Sequence, residues 1–450
     1  MSALTLTMRL RSLWGNNGTL RQHLARAAAG STLLAAASKL LILVTSVLLA
    51  RSMGAAGYGI YATAMALITL LTVPTALGLP TLTVRLLASY RVHGQWALMR
   101  GLMTRSNQVV FLLSILIMAI AAAVVFLLRN RLESRDSTAF LFALALIPLM
   151  GLSALRSAAL RGLHHVILGQ LPESLIMPSL FLALIGGCML MDGNAGLLSP
   201  QSAILARIIA VATAFLVGAW ILLSKLPANL RKAEASYEVK AWARSAGPLL
   251  FIGGMSIINT QTDVLMLAAI KGEESAGIYQ AAARGAELVA FSLIVINMSI
   301  QPTISRLYAA GRTEALQRMV TAAARGALGF ALPVALSLIL FGETILALIF
   351  GEAFERGAIA LGILCCGQII NAGAGPVGQI LNMTGHERDS ATGLAVGAAT
   401  NVIFNLLLVP SWGLNGAALA TCLSLSIWNV VLVFLVRKRT GLSTTALGHV

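Results

Sequence analysis

Long apolar stretches recur along the whole chain, and short polar segments separate them. A hydrocarbon core of about 30 Å is crossed by a helix of roughly 20 apolar residues, and each stretch has about that length. We therefore predict an all-α integral membrane protein with about twelve transmembrane helices, called spans 1 to 12. The predicted spans are residues 30–50, 59–84, 106–128, 138–159, 166–190, 201–224, 246–270, 276–300, 326–349, 357–382, 390–409 and 414–436.

The longest polar segment between two spans lies near the middle of the chain and divides the spans into two sets of six. The first apolar stretch is as long as a full span and lacks a small-residue cleavage site. Span 1 is therefore predicted to be a retained helix and not a secretory signal. The predicted parts are an N-terminal cytoplasmic segment (1–29), an N-lobe (30–224), a cytoplasmic linker (225–245), a C-lobe (246–436) and a cytoplasmic tail (437–450).

The two halves share a short motif at a constant offset. The first hairpin reads Gly54-Ala-Ala-Gly-Tyr-Gly59-Ile-Tyr61, and the fourth hairpin reads Gly272-Glu-Glu-Ser-Ala-Gly277-Ile-Tyr279, which is 218 residues later. Halves of equal orientation indicate parallel repeats related by a pseudo-twofold axis along the membrane normal, with a binding cavity between them. We predict that the glycines allow a tight turn at the outer face and that the tyrosines anchor at the membrane interface.

Composition and charge support a membrane protein and give its orientation. Only 11% of the residues are charged and the mean hydropathy is +0.86, whereas a soluble domain carries roughly 25% charged residues. Alternate loops hold 23 and 6 of the Lys and Arg residues, so the positive-inside rule predicts that both termini are cytoplasmic. The net charge of +16 therefore reflects topology, and we predict no nucleic-acid partner.

Motifs for enzyme chemistry are missing from the sequence. There is no nucleotide-binding loop and no nucleophile–base pattern, and the four cysteines fall in spans without metal-ligand spacing. We predict that the protein is not an enzyme and uses neither a cofactor nor a bound metal.

Ionisable side chains inside spans are costly to insert and usually face a cavity or a partner. Lys39 lies roughly 16 Å from the outer end of span 1 and has no acid at an adjacent turn. We therefore predict that it is unpaired and suited to an anionic ligand. Asp263 and Arg284 lie at similar depth on spans 7 and 8, which predicts a salt bridge, and Glu287 is an i,i+3 neighbour of Arg284.

The other polar positions leave two interpretations open. Asn259 and Gln261 make span 7 polar, and together with Asp263 and Glu287 they form either a structural cluster or a cavity wall that contacts substrate or a coupling ion. Arg85, at the inner end of span 2, is either ordinary positive-inside charge or the cytoplasmic mouth of that cavity. Arg207 and Glu173 lie nearer to span ends, where side chains snorkel to the interface.

Four segments resemble the polysaccharide flippases of the multidrug/oligosaccharidyl-lipid/polysaccharide exporter superfamily. They are Leu48-Leu-Ala-Arg51-Ser-Met-Gly54-Ala-Ala-Gly-Tyr58-Gly59-Ile-Tyr61, Gly78-Leu-Pro-Thr-Leu-Thr-Val-Arg85, Gly277-Ile-Tyr279-Gln-Ala-Ala-Ala-Arg284 and Leu408-Val-Pro410-Ser-Trp-Gly413-Leu-Asn-Gly416. The resemblance covers nearly the whole chain. Lys39 falls where related lipid II flippases carry a cavity arginine, and Thr45 stands in place of their second one.

The resemblance implies two six-helix lobes, a cationic central cavity and alternating access. Polysaccharide flippases of this superfamily translocate undecaprenyl-pyrophosphate-linked oligosaccharides across the bacterial inner membrane for O-antigen, capsule or exopolysaccharide assembly. Lys39, Arg85 and Arg284 would then attract the pyrophosphate, since a pyrophosphate needs cations in a water-filled lumen. The implied partners are the polyprenyl-linked oligosaccharide, membrane lipid and a glycan polymerase or assembly complex.

Three other functions compete with this one. A cation-coupled drug or metabolite exporter of the same superfamily would have an aromatic, acidic cavity, whereas only 6% of the residues here are aromatic. A membrane-bound glycan polymerase or ligase would need a long outer loop, and none is predicted. A non-transporting scaffold of a glycan assembly complex would not need the repeat or the charges inside spans.

Overall fold

The computed structural model describes residues 17–128, 134–191 and 198–448, and within these ranges the chain is helical with no strand. Part of the predicted segment 1–29, parts of two predicted loops and the last two residues of the tail lie outside the described residues. The helices are α1 Asn17–Ala76, α2 Leu79–Val92, α3 Trp96–Leu128, α4 Ser134–Leu144, α5 Leu146–Gly162, α6 Val166–Leu171, a π-helical turn Pro172–Ile176, α7 Met177–Met191, α8 Pro200–Lys225, α9 Ala228–Lys232, α10 Val239–Lys271, α11 Glu273–Ala309, α12 Thr313–Leu340, α13 Gly342–Phe350, a 3₁₀ turn Glu352–Gly357, α14 Ala358–Ala374, α15 Val377–Met383 and α16 Glu387–Thr440.

Ten helices among the described residues are long and apolar enough to cross a membrane. Two of them are too long for one crossing: the apolar part of α1 has 44 residues and α16 has 54, or about 66 and 81 Å of helix. Each contains a non-helical glycine, Gly54 (φ 69°) and Gly413 (φ 51°), at which the chain turns. The predicted all-α fold with two lobes is therefore confirmed.

Several predicted spans differ from the observed helices, including spans 2, 9 and 10. Span 2 is broken at Leu77 and Gly78, which both have positive φ. Gly78 lies close to α10, since a Cβ at this position would be 2.6 Å from the backbone nitrogen of Leu250. Span 10 is broken at Gly375 (φ 78°). Span 9 was predicted to start at residue 326, but α12 starts at Thr313 because its charged first turns extend the helix beyond the apolar stretch.

The buried apolar residues form three clusters. The largest contains residues of both lobes, and Tyr58 and Phe354 make one of its contacts across the lobes, with ring centroids 6.2 Å apart. The other two lie toward the predicted cytoplasmic end, one around α2 and α3 and one around α15 and the end of α16. The first turns of α10 belong to the former cluster, where Trp242 donates to the hydroxyl of Tyr90.

Polar contacts join the lobes at the predicted outer face. Thr63 in α1 donates to Glu273 in α11 at 2.6 Å. Arg51, also in α1, donates through Nε to the carbonyl of Ile349 at 2.8 Å and through Nη2 to the carbonyl of Leu348, at the end of α13. An arginine at a helix C-terminus satisfies carbonyls that have no partner within the helix. The lobes are thus closed against each other at this face.

The linker that follows the N-lobe and the tail that follows the C-lobe both pack against the helices. The predicted linker contains the short α9, and Arg100 of α3 donates to the carbonyls of Arg231 and Ala233 at 2.9 and 2.7 Å. The tail after Thr440 folds back onto α12, where Arg325 Nε donates to the carbonyl of Ala446 at 3.0 Å. The division of the chain into these parts stays a prediction.

Candidate functional site

Three charged side chains connect the two lobes, and Lys39 and Glu287 among them are partly exposed at the side of the bundle. Lys39 in α1 places its Nζ 2.6 Å from Glu287 Oε2 in α11, and Arg284 Nη1 lies 2.7 Å from the other oxygen, Oε1. The i,i+3 pairing of Arg284 with Glu287 is confirmed. The prediction that Lys39 is unpaired is wrong, because its partner comes from the other lobe, 248 residues away.

Arg284 lies where two polar cavities meet. The smaller cavity, of about 190 Å³, is lined by N-lobe residues, and the larger, of about 580 Å³, is lined by C-lobe residues. Gln261, Gln280 and Arg284 line both. When the oxygen of the Gln280 carboxamide faces the guanidinium, it accepts hydrogen bonds from Arg284 Nε and Nη2 at 3.2 and 2.9 Å. The guanidinium is therefore positioned by two side chains while it borders both cavities.

The N-lobe cavity contains a second arginine that the sequence analysis assigned to the interface. Arg207 of α8 lies with its Cζ 5.1 Å from the ring centroid of Phe181, and Tyr61 stacks on the same ring. Arg207 therefore lies inside the bundle. The prediction that it snorkels to the membrane interface is wrong. Its depth on α8, similar to that of Asp263 on α10, was the signal that could have identified it.

Asp263 is buried among neutral donors and does not pair with Arg284 among the described contacts. Its Oδ1 accepts from Asn401 and Asn405 of α16 at 3.0 and 2.6 Å. Its Oδ2 accepts from Tyr279 of α11 and Thr421 of α16 at 3.0 and 2.6 Å. The predicted Asp263–Arg284 salt bridge is wrong, since four hydrogen bonds from uncharged groups satisfy this carboxylate.

The remaining predicted site residues fall in different places. Asn259 and Gln261 line the C-lobe cavity, and Asn259 donates to the carbonyl of Leu394 at 3.2 Å. Arg85 is exposed on α2 and lines neither cavity, so its role stays a prediction. Glu173 was expected to snorkel, but it pairs with the buried Arg156 inside the N-lobe.

An apolar groove runs beside the charged cluster between α1 and α11. It has a volume of about 220 Å³, and Lys39, Arg284 and Glu287 form its polar end. The rest of its wall is apolar, as Leu40, Leu43, Leu288, Phe291 and Ile294 show. Leu40 and Leu288 are exposed on the outside of the bundle. Polar cavities and a lipid-facing groove thus share one set of charges.

Groups that could hold a metal ion through three or more His, Cys, Asp or Glu side chains are not found in residues 17–128, 134–191 and 198–448. Charge is instead concentrated at the lobe junction, where Glu287 pairs with both Lys39 and Arg284, and Arg207 lines the N-lobe cavity together with Arg284. Such a junction suits an anionic group that enters from the side.

The chain matches the family described as "Polysaccharide biosynthesis protein" over residues 24–308, which is more than half of its length. The chain belongs to this family. Residues 248–407 of this family member also match the MatE family. The resemblance seen in the sequence is therefore confirmed.

A curated relative and two solved structures are similar to this family member. It is 22% identical over 170 residues to the "Probable low-salt glycan biosynthesis flippase Agl15" of Haloferax volcanii, and the match covers 38% of this chain and 36% of the relative's length. A MATE family transporter in an inward-facing conformation superposes with a TM-score of 0.71 at 15% identity, covering 89% of this chain and 94% of the other. Lipid II flippase MurJ gives 0.69 at 15% identity, covering 90% and 87%. The two superpositions establish the fold alone.

Proposed function

We propose that this protein is a flippase that moves an undecaprenyl-pyrophosphate-linked oligosaccharide across the bacterial inner membrane by alternating access, for assembly of O-antigen, capsule or exopolysaccharide. One observation carries the proposal: Arg284 borders the two polar cavities and the lateral apolar groove at once. A substrate with a polar headgroup, an anionic linkage and a lipid tail needs these three environments to meet at one cation.

The pyrophosphate binds at the lobe junction. Arg284 offers a planar, bidentate donor set and Lys39 a point charge, which together suit phosphate oxygens. Glu287 accepts hydrogen bonds from Arg284 and Lys39, at 2.7 and 2.6 Å. A pyrophosphate competes with this carboxylate for the same donors. Its arrival loosens the contact between α1 and α11 and couples binding to movement of the lobes.

The lipid tail stays in the membrane during the passage. The groove between α1 and α11 is apolar except at its charged end, and exposed leucines border it. A polyprenyl chain lying in this groove places the attached pyrophosphate at Lys39 and Arg284. Arg85, at the predicted cytoplasmic end, then provides a first electrostatic contact for the headgroup.

Asp263 is proposed as the coupling site. It is a buried carboxylate that faces the C-lobe cavity and receives four hydrogen bonds from uncharged groups. A proton or a monovalent cation that enters this cage changes the charge at the cavity wall. Its binding therefore favours one conformation of the C-lobe over the other.

Neutralising Lys39 tests the proposal. Lys39→Ala should abolish surface glycan in a deletion strain complemented with the variant, and it should trap the lipid-linked repeat unit on the cytoplasmic leaflet. Lys39→Arg retains the charge and is the matched control, so it should restore export. Immunoblotting must show equal amounts of both proteins. Unchanged export in Lys39→Ala would refute the role of this residue.

A drug or metabolite exporter is the second candidate, and the MatE match over residues 248–407 favours it. Loss of the gene would then leave surface glycan normal and alter sensitivity to cationic drugs. An association with a glycan polymerase or assembly complex belongs to the flippase proposal and predicts copurification with such an enzyme.

A further inference from the structure

The larger cavity changes its chemistry along its length. The charged residues described in its lining are Asp263, Arg284 and Glu287, and Arg284 also lines the N-lobe cavity. The remaining part, which we call the amide chamber, is lined by the carboxamides of Asn297, Gln368, Asn371, Gln379, Asn382 and Asn429 and by Trp428. The chamber therefore has many hydrogen-bonding groups and no ionised ones.

Several of these carboxamides are held in fixed orientations by one another. Asn429 donates to Asn371 Oδ1 at 3.2 Å, and Asn371 donates to Gln368 Oε1 at 3.3 Å. On the other side, Gln301 donates to Gln379 Oε1 at 3.0 Å. Because each amide uses only part of its hydrogen-bonding capacity in these contacts, donors and acceptors remain for a ligand.

Two buried polar atoms in the chamber wall have no partner within the described residues: Oδ1 of Asn297 and Nε1 of Trp428. Buried polar atoms are nearly always paired, so two side chains that line one cavity with an unpaired acceptor and an unpaired donor suit a ligand that supplies both functions. A hydroxyl group donates and accepts, whereas a phosphate oxygen only accepts.

Backbone features keep the chamber open. The break at Gly375, with φ 78°, ends α14 and brings α15 to the wall that contains Gln379. On α16, an added Cβ at Gly393 or Gly397 would lie 3.3 Å from atoms of Trp428. Glycine at these positions lets the indole lie against its own hairpin and present a ring to the cavity.

We propose that the amide chamber binds uncharged sugar residues of the transported lipid-linked oligosaccharide, while Arg284 and Lys39 hold its pyrophosphate. This inference rests on the proposed function and adds the chemical class of the headgroup. Sugars carry dense hydroxyl donors and acceptors and an apolar C–H face, which match the carboxamides and the Trp428 ring. The cavity volume of about 580 Å³ lies within the range of roughly 300–1,000 Å³ that is typical of ligand pockets.

The neutral character of the ligand follows from the charges that are missing from the wall. An anionic sugar would lose hydration without gaining a cation, because Arg284, the single cationic lining residue described for this cavity, is already required by the pyrophosphate. A site that is built from hydrogen-bonding groups also discriminates strongly against a ligand that cannot fill them.

Binding to the purified full-length chain in nanodiscs tests this inference. The probes are a short polyprenyl pyrophosphate and the same lipid carrying either a neutral N-acetylglucosamine disaccharide or a disaccharide that contains a uronic acid. We expect the neutral glycosylated probe to bind about tenfold more tightly than the bare lipid, the scale of one or two additional hydrogen bonds. The acidic probe should bind more weakly than the neutral one.

Two variants remove the unpaired atoms: Asn297→Leu keeps a side chain of similar shape, and Trp428→Phe keeps an aromatic ring. Each should reduce the advantage of the neutral probe to less than threefold, on the order of one lost hydrogen bond, and leave binding of the bare lipid unchanged. Asn107→Leu is the matched control, because Asn107 is exposed on α3 and donates to the carbonyl of Met103 outside both cavities.

The outcomes separate this inference from the proposed function. Equal binding of the bare and neutral probes, tighter binding of the acidic probe, or chamber variants that weaken the bare lipid equally would overturn the sugar site. If the bare lipid binds in these cases and Arg284→Ala weakens that binding, the flippase proposal stands. If the wild-type protein binds none of the three probes, both proposals fail.

Discussion

Gly59 and Gly277 lie against each other where the two lobes meet at the predicted outer face. A Cβ on Gly277 would lie 2.8 Å from the nitrogen and 3.0 Å from the Cα of Gly59, and 2.1 Å from the carbonyl of Ala55. A Cβ on Gly59 would lie 1.8 Å from the carbonyl of Glu273. The same position of the two repeats, 218 residues apart, therefore forms both sides of one backbone contact.

A methyl group at either glycine should force the outer face open. Overpacking of a close contact costs typically 1–3 kcal/mol, which corresponds to a shift of roughly 5- to 150-fold in a conformational equilibrium. We expect Gly277→Ala to raise the rate at which an impermeant maleimide labels a cysteine introduced at Thr63. That position faces the closed contact with Glu273. The background should lack the four native cysteines, which are all free thiols.

Gly253→Ala is the control for this measurement. Gly253 lies within α10, and no atom comes within 4 Å of a Cβ built there. Its labelling rate should equal that of the parent protein. Equal labelling in Gly277→Ala and the parent would show that the glycine contact does not keep the outer face closed.

Relationships within one helix or between the repeats could be predicted from the sequence. The Arg284–Glu287 pair follows from the helical period, and the Gly59 and Gly277 match follows from a constant offset. The paired tyrosines were predicted to anchor at the membrane interface, and this prediction was wrong. Tyr61 stacks on Phe181, and Tyr279 donates to Asp263, because the hairpins pack against their own lobes and bury these rings.

Contacts between distant helices could not be predicted in the same way. Lys39 was expected to be unpaired because only its own helix was considered, whereas Glu287 reaches it from α11. The hydrogen-bonding partners of Asp263 come largely from α16, more than 130 residues away. Spacing along the chain gives the depth of such residues, but the packing of helices decides which of them meet.

Removing the charge of Glu287 should strengthen anion binding and prevent transport. Glu287→Gln frees Lys39 and Arg284 from their internal competitor. Binding of a polyprenyl pyrophosphate should tighten about tenfold, the scale of one charge-assisted hydrogen bond, as titration calorimetry would measure. Export should be lost, because no carboxylate remains to displace the pyrophosphate.

Glu274→Gln is the matched control for that variant. Glu274 pairs with Arg356 at 3.6 Å on the surface, with both side chains more than half exposed, and such pairs contribute little. Its affinity and export should match those of the wild type. Weaker or unchanged pyrophosphate binding by Glu287→Gln would contradict the proposed competition.

The variant Asp263→Asn should distinguish a structural role of this carboxylate from a role in coupling transport to an ion gradient. In Asp263→Asn, the new amide group can donate to Tyr279 and Thr421, whose hydroxyls can also accept, so the cage is preserved. We expect a Tm within a few degrees of the wild type but no stimulation of transport by an imposed proton or sodium gradient in proteoliposomes.

Two further variants are compared with Asp263→Asn: one that removes the hydrogen bonds to this carboxylate, and one that neutralises an aspartate elsewhere. Asp263→Ala leaves the amide of Asn401 without its acceptor, whereas Asn405 keeps the carbonyl of Asn401, and it should lower stability by about 1–3 kcal/mol. Asp389→Asn, in the first turn of α16, removes the charge from the partner of the exposed Arg439 and should transport normally. Gradient-driven transport by Asp263→Asn would return Asp263 to a purely structural role.

Gly218 should be essential because it makes room for a buried charge. A Cβ at this position of α8 would lie 0.8 Å from Nη1 of Arg156, whose side chain is 4% exposed and pairs with Glu173. Gly218→Ala would displace the guanidinium, and disruption of a buried pair costs about 3–5 kcal/mol. The variant should accumulate poorly in membranes. Gly187→Ala, where no atom lies within 4 Å of the added Cβ, should accumulate normally.

Removal of the charges should rescue the Gly218 variant. A buried ion pair can often be replaced by apolar residues of similar volume without loss of stability. Gly218→Ala combined with Arg156→Leu and Glu173→Leu should therefore recover membrane accumulation, measured by immunoblot. It should also recover the Tm, measured on the purified protein. Because the pair lies in the N-lobe, away from Arg284 and the C-lobe cavity, the rescued protein should also export glycan. A triple variant that stays unstable would show that Gly218 is required for helix packing and not for the space that Arg156 occupies.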